Sequence, residues 1–217
     1  MTFRRPAFIA FTGVDRAELK PGLAALSARY PIEWGILIDD AQAGAALFPD
    51  ASLRSQLVAG EPLRWAAHIC GAQARAIVVE PHDSSLHLAG FQRAQINHSF
   101  AGSNAEQIDK AAVFGRRQGV RTVLQCSQQF PDDARVDWLF DTSFGKGSAP
   151  TSWPTLPTRG AFCGLSGGLN QNNVRQVLEH IAPPADAVYW IDMESGVRSN
   201  GWFDLAKCEA VCRALFD

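Results

Sequence analysis

The chain has 217 residues, 47% of them apolar, and its 20 basic and 22 acidic side chains leave a formal net charge of −2. That balance, with no basic run longer than two residues, excludes the electrostatic footprint of a nucleic-acid binder, so the expected partner is a small molecule. No run of about 18 apolar residues occurs, so no membrane partner is expected either. Met1 to Pro6 leads into a short apolar run with no cleavage-type region behind it. Cys70, Cys126 and Cys163 lie in strand-like runs, while Cys208 and Cys212 share a helical face at i, i+4; an odd total without CxxC reads as reduced thiols in a cytoplasmic protein.

In chain order, Ala7 to Thr12 is an apolar strand, and Arg16 to Tyr30 carries a helical stripe of Leu19, Leu23, Leu26 and Tyr30. Glu33 to Ile38 is a second strand ending at Asp39-Asp40, with a short helix over Ala51 to Ala59. The third strand runs from Leu63 to Cys70. Ala72 to Leu88 then occupies a helix position without a clear pattern. The fourth strand, Phe91 to Ile96, precedes a helix capped by Asn104 and stopped by Gly119. Arg121 to Cys126 and Val136 to Phe140 are strands joined by too few residues for a helix. Thr142 to Pro157 is rich in Gly, Ser and Pro and reads as a long mobile loop. Ala161 to Leu165 and Ala187 to Ile191 close the series.

Eight strand-like runs separated by helix-like ones imply a parallel sheet, and continuous apolarity implies burial on both faces. No domain boundary is visible, so residues 1–217 form one domain. The last two strands end in small-residue turns, Ser166-Gly167-Gly168-Leu169-Asn170 and Glu194-Ser195-Gly196-Val197. Each is followed by a helix-like pattern, and paired glycine turns opening helices would cradle a phosphate. An open doubly wound sheet would carry its glycine loop after the first strand, where only Thr12-Gly13-Val14-Asp15 stands. Placement after strands seven and eight favours a (β/α)8 barrel, although 217 residues is short against a typical ~250.

The stretch SGGLNQNNV, followed one β-α unit later by IDMESGV, resembles the last two units of phosphoribosylanthranilate isomerase, a TIM barrel of tryptophan biosynthesis whose SGGLNPENV-like and DVSSGVE-like turns hold the substrate phosphate. The resemblance implies phosphate contacts from Ser166, Gly167, Gly168, Ser195 and Gly196, with Asp192, Asn97 and Asp39 also on the substrate. It implies an Amadori rearrangement: an acid protonates the furanose oxygen, the ring opens to a Schiff base, and a base removes the C2 proton. No metal and no cofactor is implied, and the assembly expected is a monomer or homodimer. Asp141, in LFDTS, is similar to the family's LLDT-type aspartate, its general acid.

Several positions depart from the pattern. The family's base is the Cys of KICG on the first strand, where this chain has Thr12. A hydroxyl cannot take a carbon-bound proton without another base to activate it. Ala41 to Asp50 lacks the basic residue of an SKRYI-like loop, QLHG has become Gln95-Ile96-Asn97-His98, and Gly147 to Trp153 lacks the Lys of a GSGKTFDW-like loop. Substitute bases are His68 and Cys70, on one strand face at i, i+2, and Asp39 or Asp40. Packing of His68 and Cys70, and helix capping by Asp39, are the plain alternatives.

His68, His98, Asp39, Asp141 and Glu194 show no metal-ligand spacing. Gln125 and Ser127 complete the expected polar rim. His82, His87 and His180 read as surface residues, Trp34, Trp65 and Trp190 as packing, and Trp153 as a candidate to stack on a ligand. Beside the isomerase stand two other readings, a different phosphosugar enzyme (epimerase or lyase) and a phosphate-binding barrel without turnover. A Schiff-base aldolase would need a strand-end lysine, and none of Lys20, Lys110, Lys146 and Lys207 is one.

Overall fold

Eight parallel strands close into a barrel in sequence order: Phe8–Thr12 (β1), Ile32–Ile38 (β2), Trp65–Ile69 (β3), Arg93–Ile96 (β4), Arg121–Cys126 (β5), Asp137–Phe140 (β6), Cys163–Leu165 (β7) and Tyr189–Met193 (β8), with β8 pairing back onto β1. The architecture is that of a TIM barrel, as expected. It is taken from a computed structural model that describes residues 3–60, 62–82, 86–143 and 145–217. Among the described residues no helix is long and apolar enough to cross a membrane.

Helices Lys20–Ser27 (α1), Ala51–Val58 (α2), Gly71–Ile77 (α3), Ala105–Gln118 (α4), Val174–Ile181 (α5) and Leu205–Phe216 (α6) pack around the barrel. Their apolar stripes and the outward strand residues, Trp34 and Trp65 among them, make one continuous core. Asn104 caps α4 through a reciprocal box with Gln107, and Gly119 ends it in the left-handed region at φ 69°. Among the described residues no helix follows β5 or β6. The unpatterned segment after β3 does contain a helix, though only Gly71–Ile77, short because its single buried face is Ala74 and Ile77.

The two glycine turns differ from expectation: neither opens an α-helix directly. After β7, Gly167 and Gly168 take φ 116° and 64°, and Asn173 Oδ1 accepts from the Asn170 N–H at 2.9 Å, so α5 starts only at Val174. After β8, Ser195–Val197 is one 3₁₀ turn, followed by an antiparallel ribbon of Arg198–Ser199 (β9) and Trp202–Phe203 (β10). The real cap of α6 is Asp204, which accepts from the N–H groups of Ala206 and Lys207.

The barrel interior is also less apolar than continuous hydrophobic runs suggest. Phe8, Ala10, Val123, Leu139 and Trp190 fill it, with Gly164 giving Trp190 its room: a Cβ there would lie 2.1 Å from the indole. Among them lie three buried charges, Glu33, Arg93 and Asp137: Glu33 meets Arg93 at 2.9 Å and the half-exposed Arg64 at 2.8 Å, and Asp137 meets the half-exposed Arg121 at 2.8 Å. The Arg93 guanidinium covers the Trp190 ring at 4.0 Å. Removing one partner from such a set leaves a buried charge uncompensated, typically ~3–5 kcal/mol. These pairs fix the strands whose upper ends carry the site.

Candidate functional site

The C-terminal ends of the strands and the loops above them enclose a cleft of about 550 Å³. Its wall includes Asp39, His68, Cys70, Asn97, Asp141, Ser166, Gly167, Gly168, Asp192 and Ser195, so the structure gathers most of the expected site into one place. Thr12 and Gly196 stand behind that wall. Gln125 and Glu194 also face the cleft, whereas Ser127 opens onto a separate groove with Gln128 and Thr142.

Thr12 ends β1 with 1% of its surface exposed. Its hydroxyl donates to Asp192 Oδ1 at 2.7 Å and meets His68 Nε2 at 3.2 Å. Gly35, on the intervening strand, makes this contact possible, because a Cβ there would lie 2.6 Å from Thr12 Oγ1 and 3.0 Å from His68 Nε2. Burial, reinforced by the charge of Arg93, pushes the His68 imidazolium down to about 3, so the ring is neutral and can donate through Nε2–H to Thr12. A chain His68 to Thr12 to Asp192 results, and it holds one Asp192 oxygen fixed. Burial pushes the Asp192 carboxyl up to about 8 against the hydrogen bond from Thr12, with Glu194 and Asp141 adding to the rise.

The substitute bases behave differently from expectation. His68 is too weakly basic, being held neutral far below physiological pH. The Cys70 thiol touches the backbone oxygen of His68 at 3.7 Å and receives Asn97 Nδ2 at 3.3 Å, with no imidazole contact, and burial raises its pKa away from the thiolate range. Asp39 caps its own turn, accepting from Ala41 N at 3.1 Å and Gln42 Nε2 at 2.9 Å, while Asp40 is exposed and bound to Gln73. For Asp39 the capping alternative therefore describes the structure.

Asp141 follows β6 and is buried. Its carboxylate accepts from Ser143 N at 2.8 Å, Ser143 Oγ at 2.9 Å and Gln125 Nε2 at 3.2 Å. Two aspartates thus reach the cleft in different company. Asp192 has its carboxyl pushed up to about 8, and Asp141 is an acceptor for several donors.

The two glycine turns touch through their backbones. A Cβ on Gly196 would lie 2.0 Å from Leu169 O, so nothing larger than glycine fits. The loop after β6 closes over them: a Cβ on Gly168 would lie 2.7 Å from Ala149 N, and one on Gly147 would lie 2.1 Å from Ser195 Oγ. The glycines therefore serve loop docking as well as any ligand. Trp153, in the same loop, packs on Phe140 at 5.9 Å and joins the core, away from the cleft, which corrects its reading as a ligand-stacking residue. Lys146 is exposed and outside the wall.

Sequence reasoning missed Arg75. It extends from the last turn of α3 and is the only Lys or Arg among the described cleft-lining residues, beside an apolar stretch of Leu47, Phe48 and Phe100. The weak pattern of its segment hid the helix that carries it. Among the described residues, no group of three or more His, Cys, Asp or Glu side chains is arranged to hold a metal ion.

A family model described as N-(5'phosphoribosyl)anthranilate (PRA) isomerase matches residues 88–214, from just before β4 into the last turn of α6. The chain belongs to this family. The PRA isomerase of Pyrococcus furiosus has a similar structure, with 14% identity and a TM-score of 0.59 over 96% of this chain and 98% of that one. The enzyme of Thermococcus kodakaraensis gives 14% and 0.60 over 97% and 99%. Monomers generated from the dimeric enzyme of Thermotoga maritima give 12% and 0.61 over 96% and 98%. At such identities these likenesses establish the barrel alone, and no curated protein matches the chain. Within the PRA isomerase family, the match begins after β1–β3, the strands that carry Thr12, Gly35 and His68.

Proposed function

We propose that this PRA isomerase family member is an acid–base isomerase of a phosphorylated N-glycosidic sugar, with its base moved from β1 to the opposite side of the barrel. The observation that carries the reading is the Thr12–Asp192 hydrogen bond at 2.7 Å. Thr12 holds no spare proton-accepting capacity for a carbon acid, but it fixes a carboxyl that titrates near the working pH, where general acid–base catalysis is most efficient.

Asp192, protonated at neutral pH, donates to the furanose ring oxygen, and the ring opens to the Schiff base. Asp141, bound as an acceptor by Ser143 and Gln125, removes the C2 proton, and the enamine relaxes to the amino-ketose. The division follows from the company of each group: burial brings the Asp192 carboxyl up to about 8, while the Asp141 oxygens accept from Ser143 and Gln125. It exchanges the role that the resemblance gives Asp141. Ser166, Gly167, Gly168 and Ser195 seat the phosphate, with Gly196 letting the turns meet. Arg75 supplies the cation missing from the second loop, with Leu47, Phe48 and Phe100 as the apolar seat of an aromatic acid. The place in metabolism is tryptophan biosynthesis, in the cytoplasm, without metal or cofactor, in one domain.

A second reading is favoured by the same buried hydroxyl: a barrel that keeps the phosphate seat and does not turn over phosphoribosylanthranilate. The assay for loss of that substrate's fluorescence under single-turnover conditions separates the two. Conversion supports the isomerase, and binding without conversion supports the alternative.

A further inference from the structure

Glu194 is the residue of the cleft that the proposed reaction leaves unused. It follows β8 directly, one position before Ser195, lines the cleft, and lies at the seam with β1, where a Cβ on Gly13 would come within 3.8 Å of its Cγ. Its position is Ser in the DVSSGVE-like pattern that the turn resembles. Among the described residues Glu194 makes no salt bridge or hydrogen bond through its carboxylate.

The charged groups around it come from several elements. On its own segment stand Asp192 and Arg198, from the end of β6 comes Asp141, and from the end of β3 the Cys70 thiol, which Asp39 at the end of β2 also faces. Arg198 is the nearest cation, but its Nη2 pairs with Asp15 at 3.0 Å and its Nη1 donates to Gly13 O at 2.9 Å. Arg75 lines the cleft from α3 and Lys146 is exposed. A carboxylate without a paired cation therefore stands beside the turn that the proposed function assigns to a phosphate.

Resting on that assignment, we propose that Glu194 makes the anion seat selective: a tetrahedral dianion enters between Gly167-Gly168 and Ser195 only together with a proton on Glu194. Like charges in a partly desolvated cleft repel, and taking up one proton on binding removes the repulsion. Burial already brings the Glu194 carboxyl up to about 7, against the lowering effect of Arg198, so the uptake falls in the physiological range. Once Glu194 is ionised in the free protein, affinity should fall about tenfold per pH unit.

Sulfate is the suitable probe, because it stays a dianion throughout. Calorimetric titration of the full chain with sulfate at pH 6 and pH 8 should show wild-type affinity falling about tenfold or more, and Glu194→Gln binding equally at both pH values. Glu194→Ser, also stripped of charge, gives the same comparison if the glutamine variant unfolds. A wild type without the fall overturns the proposal. A fall that persists in both variants also overturns it and assigns the proton to Asp192. If wild type binds no sulfate, or if Gly168→Asp still binds it, the anion seat itself is wrong and the proposal falls with it.

Discussion

The two walls of the cleft are built by different means. The β7–β8 wall is mainly a backbone construction: Gly196 against Leu169 O and Gly168 against Ala149 N, with Gly147 closing on the Ser195 hydroxyl. The β1–β3 wall is a side-chain construction, in which Thr12 and His68 meet across Gly35 and Thr12 reaches over to Asp192 of β8. The family match covers the first wall and Asp192, and begins after the strands that carry Thr12, Gly35 and His68. Contacts between backbones admit glycine and little else, so their motifs persist in sequence, whereas a hydrogen-bonded side-chain set can be rebuilt with other residues. On the proposed function, this is a barrel that kept its anion seat and reassigned its chemistry.

The largest effect should come from the chemistry itself. Asp192→Asn and Asp141→Asn are each expected to lower turnover by ~10²–10⁴-fold while leaving sulfate binding in place, as kinetics and calorimetry would show. If either variant kept full turnover, the chemical wall would have to lie elsewhere.

Next comes the backbone wall. Gly196→Ala sets a methyl 2.0 Å from Leu169 O, and this should abolish sulfate binding and lower stability by ~1–3 kcal/mol in denaturant unfolding. An unchanged variant would mean the turns do not need their contact. Arg75→Ala should raise KM about tenfold with kcat little changed, the signature of lost uniform binding.

Smaller still is the effect of Thr12→Val on the pH profile. The Thr12 hydrogen bond lowers the Asp192 pKa from where burial would put it, so its loss should move the alkaline fall in activity to higher pH. Stability follows the same group. The Asp192 carboxyl is raised in the folded state, so its contribution is fully present below the unfolded carboxyl value near 4 and is lost as pH rises through about 8. Between pH 5 and 8, wild type should therefore lose more stability than Asp192→Asn.

Much of the fold was legible because strand runs and the Asn104 cap are local signals. The bounds of β5 follow directly from pattern, and those of α2 to within one residue. The buried charges were not legible: Glu33, Arg93 and Asp137 sit in strand-like runs, and their pairing is set by barrel closure between distant strands. At the site, the glycine turns announced themselves, whereas the Thr12–His68 contact depends on what Gly35 lacks on a neighbouring strand. Arg75 was hidden by a helix of seven residues with little amphipathic pattern. Trp153 was misread because a glycine- and proline-rich loop gives no sign of which way its aromatic ring turns.

The most direct test is single-turnover conversion of phosphoribosylanthranilate by wild type and Asp192→Asn from pH 6 to 9, followed by loss of substrate fluorescence. A wild type that converts the substrate, slows above about pH 8 and loses the activity on substitution is the expected result. An inert wild type, or an Asp192→Asn variant that converts the substrate at the wild-type rate, would contradict the relocation of the acid–base pair to Asp192 and Asp141.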